Sequence, residues 1–208
     1  MKRREFIILI GGAAVAWSGR AQARQPAMPT IGFLHFGRER DLQPYLNAFS
    51  SGLTALGYTE GRNIRVLYRY ADGNADRLSG LTRELVSLGA MIIVTSGTTA
   101  IGAAHDEAPN VPIVSWRGAD PVIMGWAQTM ARPGGMITGV FLAGSNTKRF
   151  ELLKEVRPDA STFGYLMSAT NPGNPVFRED ANYAARTLGI NLEIVEVKDQ
   201  SELADRCG

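Results

Sequence analysis

The stretch "MIIVTSGTTAIGAAHDEA", residues 91–108, changes character in its middle. Residues 91–96 form an unbroken apolar run that ends on Thr95 and Ser96. A run of this length without alternation suits a strand buried on both faces, as in the interior of a parallel sheet. Gly97 interrupts it, and Thr98 and Thr99 then open a short helix over 98–108, because threonine is a good N-cap. Strand, glycine turn and helix together make half of a βαβ unit.

The same unit recurs on both sides. Upstream, "TIGFLHF" (30–36) is a second buried strand. Leu42, Tyr45, Leu46, Phe49, Leu53 and Leu56 follow at three- and four-residue steps, the period of an amphipathic helix, with Gly57 placed to stop it. "NIRVLYRYA" (63–71) alternates polar and apolar residues, so it reads as a strand near a sheet edge. "NADRLSGLTRELVSLG" (74–89) sets Leu78, Leu81, Leu85 and Leu88 on one helical face. Downstream, "PIVSW" (112–116) is a strand. A helix is predicted within 119–131, with Asp120 as cap and Pro121 in its first turn. "MITGVFL" (136–142) is the next strand. This alternation implies a parallel, doubly wound α/β sheet over residues 30–143. A second series follows: helix 146–159, strand 161–169, a turn-rich loop 170–175, helix 176–189, strand 190–197 and the start of another helix. Two parallel strands cannot bury both faces of a sheet, so residues 144–208 read as a partial second α/β lobe.

The N-terminus, "MKRREFIILIGGAAVAWSGRAQA", reads as an address. Its apolar run of twelve residues, 6–17, is short of the roughly 20 needed to span a membrane. It suits a cleaved signal, with Ala21-Gln22-Ala23 as the cleavage site. Arg3-Arg4 followed by Glu5, Phe6 and Ile7 resembles a twin-arginine export motif, the general secretion route being the alternative. These residues predict a periplasmic protein, with 24–29 as a linker. The formal net charge is +2. Residues 1–23 hold four cations against one carboxylate, and removing that surplus of three leaves −1. No basic surface is left to argue for nucleic-acid binding.

Cys207 is the sole cysteine, and His35 and His105 are the only histidines. That set supplies neither a disulfide nor a structural metal site, and no cofactor is expected. Gly97 and Gly102 have the spacing of a phosphate-binding loop, but Ala103 stands where its lysine belongs. Serine-hydrolase, dinucleotide and zinc-protease signatures are missing as well.

What remains are loops at the C-terminal ends of the strands, where open α/β sheets bind ligands. Ser96, Gly97, Thr98 and Thr99 offer hydroxyls and the first amides of a helix, a setting for a carboxylate. Trp116 offers a stacking surface. Asp120 is a hydrogen-bond acceptor for a ligand or a cap for its own helix. His35 ends the first strand on the same side, and Asn171 sits in the loop that would face it from the second lobe. The alternative, in each case, is an ordinary strand-turn-helix junction.

The blocks "IGFL", "GLTALGYTEGRNIRVLYRYADG", "IIVTSGTTA", "GADPV", "RPGGMITGV", "KRFELLKEVRP" and "ANYAARTLGI" occur in an order that resembles the substrate-binding proteins of ABC transporters, of the tryptophan/tyrosine uptake type. The resemblance implies a type I periplasmic-binding-protein fold, in which two lobes close on a ligand between them. It implies a small carboxylate-bearing cargo, amino-acid-like and in some members aromatic. The expected partner is an ABC permease in the inner membrane, and the expected state a monomer without catalytic activity. Members continue far enough to complete the second lobe, so the chain is expected to be C-terminally truncated. Two alternatives follow: a remnant that no longer binds, or an enzyme on a doubly wound fold with Asp120 as acid or base.

Overall fold

The computed structural model describes residues 28–141, 146–198 and 202–203. The address at 1–23, most of the linker and Cys207 lie outside the described residues.

Five strands form one all-parallel sheet: β1 (Thr30–His35), β2 (Arg65–Tyr70), β3 (Ile92–Ser96), β4 (Ile113–Ser115) and β5 (Ile137–Gly139), in the order β2-β1-β3-β4-β5. Three helices connect the first four strands: α1 (Gln43–Ala55), α2 (Asp76–Ser87) and α3 (Thr98–Glu107). The alternating strand at 63–71 does lie at the sheet edge. The apolar runs of β1 and β3 are explained by burial on both faces. Leu34, Ile93 and Ile113 point to the side covered by α2 and α3, where they meet Leu78, Leu85 and Ile101. Ile31, Phe33 and Val94 point to the other side, against Phe49 and Leu53 of α1. Burying such side chains is worth roughly 1.5–3 kcal/mol each, so a register slip of one residue is strongly disfavoured. Gly32 allows α2 to pack close, since a Cβ there would lie 3.1 Å from Leu85 Cδ1 and 3.2 Å from Ala90 Cβ.

The second series holds α4 (Asn146–Val156), β6 (Thr162–Ser168), α5 (Asn174–Leu188) and β7 (Asn191–Val197), with β6 and β7 paired in parallel. Its small core is Phe150, Ala181, Ala184, Ala185 and Ile190, packed against Phe163, Tyr165 and Leu192. The alanines let α5 sit tightly on the ribbon. The opposite face of β6 is uncovered, and Leu166 there is 50% exposed. The described part of the second series is thus a small α/β unit of two helices and two parallel strands.

One predicted helix does not form. Residues 119–131 make a single turn instead. Asp120 behaves as a cap, its Oδ1 accepting from the Val122 amide at 2.8 Å and the Ile123 amide at 3.3 Å. Gly125 then enters the left-handed region at φ 73°, and Trp126 N–H returns to the Pro121 carbonyl at 2.8 Å. The local cap signal was sound, but it starts a turn that Gly125 ends. The threonine cap on α3 is also corrected. Gly97, at φ 83°, is the residue before the helix, and neither threonine side chain caps it. Thr98 Oγ1 instead accepts from the Ala119 amide at 3.2 Å and ties two strand-end loops together.

Candidate functional site

A strand order of 2-1-3-4-5 reverses direction between β1 and β3, and the crevice beyond the carboxyl ends at that point is where such sheets bind ligands. His35 ends β1 and Ser96 ends β3, side by side in register. Their side chains meet, with Ser96 Oγ 3.4 Å from His35 Nδ1. Burial pushes the His35 imidazole below its usual range, and the Asp41 carboxylate partly offsets this. The ring is neutral at neutral pH as a result, so it presents one donor and one acceptor.

This crevice is a cleft of about 700 Å³ between the two sheets. The first wall carries His35, the Ser96–Thr98 turn and the 116–119 loop. α3 begins at Thr98, so the first amides of that helix have no intrahelical acceptor and present positive dipole ends. The Gly97 amide itself donates to the Arg117 carbonyl at 2.6 Å, which locks the β3 and β4 loops to each other. Trp116 stacks on Tyr45 of α1, with centroids 4.9 Å apart and planes at 29°. This pair makes an aromatic surface at one end of the cleft.

The second wall comes from the other sheet. Asn146 and Arg149 stand at the start of α4, Tyr165 and Met167 on β6, Asn171 in the following loop, and Asn174 and Phe177 on α5. Asn171 Oδ1 accepts from the Gly173 amide at 3.0 Å, which fixes the turn. Asn174 Nδ2 donates to the Ser168 carbonyl at 2.8 Å and to Glu196 Oε1 at 3.3 Å. Both asparagines thus shape the wall, and each retains unused hydrogen-bonding capacity.

Six of the residues anticipated from sequence line the cleft: His35, Ser96, Gly97, Thr98, Trp116 and Asn171. Thr99 and Asp120 are not among the lining residues. Asp120 spends an oxygen on its own turn, as above. Sequence reasoning missed Asp41, Tyr45, Arg117, Asn146, Arg149 and Phe177. Arg117 was adjacent to an anticipated position. Tyr45 belongs to the apolar period of α1, yet it is 51% exposed. Arg149 carried no signal beyond that of a helix-surface cation.

Residues 40–206 match the family described as ABC transporter substrate binding protein. Among curated relatives, a tyrosine-binding protein of Clostridioides difficile (strain R20291) is 26% identical over 168 residues, covering 80% of this chain and 48% of that protein. An ABC domain in complex with L-Trp from Streptococcus pneumonia has a TM-score of 0.75 at 22% identity, covering 85% of this chain and 60% of that one. A conserved domain protein from Vibrio cholerae has a TM-score of 0.77 at 22% identity, covering 86% and 60%. At these identities the solved structures establish the fold, which is periplasmic-binding-protein-like as expected. The chain spans about half the length of the curated relative.

Proposed function

The chain belongs to the ABC transporter substrate-binding protein family, and we propose that it captures a small carboxylate-bearing solute of amino-acid size in the cleft between residues 30–143 and 144–208. The single observation that carries this is the pairing of walls. Ser96, Gly97 and Thr98, at the end of β3 and the start of α3, face a second wall built from α4, β6 and α5 across about 700 Å³. A carboxylate placed at the 96–99 turn meets the helix dipole and charge-assisted donors. The Tyr45–Trp116 pair receives a flat apolar body. Closure of the second wall over the ligand excludes water and strengthens each of these contacts.

A signal at 1–23 would deliver the chain to the periplasm, where it would hand its cargo, as a monomer, to an inner-membrane ABC permease. An enzymatic role for Asp120 has less support, because its carboxylate is engaged by two amides of its own turn.

Calorimetry and thermal shift on the purified protein test this, using a panel of amino acids and small mono- and dicarboxylates. A ligand at 100 times its Kd stabilises the fold by about 2.7 kcal/mol, a rise of roughly 5–10 °C for a chain of this size. A cooperatively folded sample that responds to no member of the panel overturns the capture reading.

A further inference from the structure

Charge is unevenly distributed over the cleft. Arg117 leaves the end of β4 on the first wall, and Arg149 lies in the first turn of α4 on the second. Among the described residues, neither guanidinium forms an ion pair with a carboxylate. The polar partner of Arg149 is Asn146 Oδ1 at 3.5 Å, a long contact. Arg149 is exposed and lies in the first turn of its helix, where a cation opposes the dipole. The neighbouring Lys148 pairs with Glu151 at 3.0 Å, and Arg149 does not.

Against these two cations the cleft lining holds, among the described residues, one carboxylate, Asp41. That carboxylate sits at the rim, where it also borders the adjoining groove, and it lies 3.7 Å from Arg40 Nε. Glu196, behind the second wall, is committed to Arg178 at 2.6 Å and to Asn174. Two carbonyls that border the cleft are also occupied. The Arg117 carbonyl accepts from the Gly97 amide and from Ser115 Oγ, and the Ser168 carbonyl accepts from Asn174 Nδ2 and the Asn171 amide. Among the described residues the cleft therefore sets two cations against a single rim carboxylate, and its remaining acceptors are neutral oxygens such as Asn174 Oδ1.

The geometry points to selection for a solute of net negative charge, an aromatic or short-chain carboxylate without an ammonium group, or a dicarboxylate, over the zwitterionic amino acid of the same size. This rests on the capture reading above and narrows its substrate class. Arg117 and Arg149 approach the ligand from opposite walls, so an anion held by both also draws the two walls together. A zwitterion would bring an ammonium into the field of two guanidiniums with no buried carboxylate to receive it.

Two matched pairs of probes test this on the purified protein by calorimetry. One is 3-(4-hydroxyphenyl)propionate against L-tyrosine, and the other is glutarate against 4-aminobutyrate. The first pair differs by the α-ammonium group alone, and in the second an ammonium takes the place of one carboxylate. The expected result is that an anionic member binds at least about tenfold tighter than its zwitterionic counterpart. R149Q should then weaken the anion about tenfold, R149K should recover part of the loss, and affinity should fall as salt rises. Equal or tighter binding of the zwitterions overturns the charge inference and leaves carboxylate capture standing. Should all four probes be silent, any ligand found in the wider panel decides by its own net charge: an anion supports the inference, and a zwitterion overturns it. Silence across the whole panel overturns both readings. Far-ultraviolet dichroism of each variant checks that lost binding is not lost folding.

Discussion

Replacing Gly139 by alanine should loosen β5 and the loop that carries Trp116 and Arg117. Gly139 ends β5 opposite Ser115, at φ 139°, a backbone conformation that side-chain-bearing residues rarely adopt. A Cβ there would run into Ser115, lying 2.7 Å from its carbonyl carbon and 2.8 Å from its nitrogen. These are backbone atoms in a paired strand, so no rotamer change relieves the clash. Backbone strain of this kind costs about 1–3 kcal/mol. Moving the strands apart also gives up the bond from the Val140 amide to the Ser115 carbonyl, 2.8 Å in the native fold, worth about 0.5–1.5 kcal/mol. The sum, about 2–4 kcal/mol, lowers the melting temperature by roughly 4–16 °C at this chain length. The control is the same chemical change where space is open. Gly80 lies within α2, and a Cβ there meets nothing within 4 Å. Gly80→Ala should stabilise by about 0.5–1 kcal/mol through helix propensity. Thermal and urea melts followed by circular dichroism compare the two. If Gly139→Ala melts at or above the native protein, or both variants move in the same direction, the steric argument is refuted.

Three further outcomes follow from the same geometry. His35 has its folded-state pKa held below the unfolded value of 6.5, so near that pH the unfolded chain binds more protons. The stability supplied by its neutral ring is present above about 6.5 and is lost as pH falls through the folded value, and His35→Asn should flatten the decline in urea midpoint between about pH 7 and 5. Phe150→Ala removes a 3%-exposed ring that packs on Phe163 and Tyr165 at 6.4 and 6.0 Å; a loss of about 3–5 kcal/mol is expected, concentrated in the amides of β6 and β7 when read by hydrogen exchange. Trp116→Ala dissolves the stack with Tyr45 and should weaken an aromatic carboxylate about five- to tenfold in calorimetry while leaving glutarate closer to native.

The order of strands and helices was legible because burial on both sides of a parallel sheet leaves a distinct record. Residues 30–36 and 91–96 are apolar without alternation because successive residues of β1 and β3 face different helix layers. Residues 63–71 alternate because β2 lies at the edge. The misread segment, 119–131, shows what such patterns omit. Asp120 and Pro121 carry a correct start signal, and the turn they start does form. Continuation depends on a buried stripe, and here the apolar side chains are spent differently: Ile123 and Met130 are 59% and 53% exposed, while Trp126 packs against α3 near Gly102 and His105. A left-handed Gly125 ends the turn before any stripe can form.

The same contrast explains the site. One wall could be anticipated because a parallel sheet delivers every strand's C-terminal end to one edge, so His35, Ser96 and Trp116 had to be neighbours whatever their side chains do. The other wall depends on how α4 and α5 lie across that edge, and no local pattern encodes this. Arg149 makes the point. In sequence it is one of four charged residues among positions 148–154, an ordinary solvated helix face. In the fold it is the member of that group turned into the cleft, it sits at the unfavourable end of its helix, and it has no carboxylate partner among the described residues. Two exposed cations that line the cleft from facing walls are what an anion held by both requires. On that proposal, selectivity is set by the relation between Arg117 and Arg149, two residues that reveal nothing when read separately.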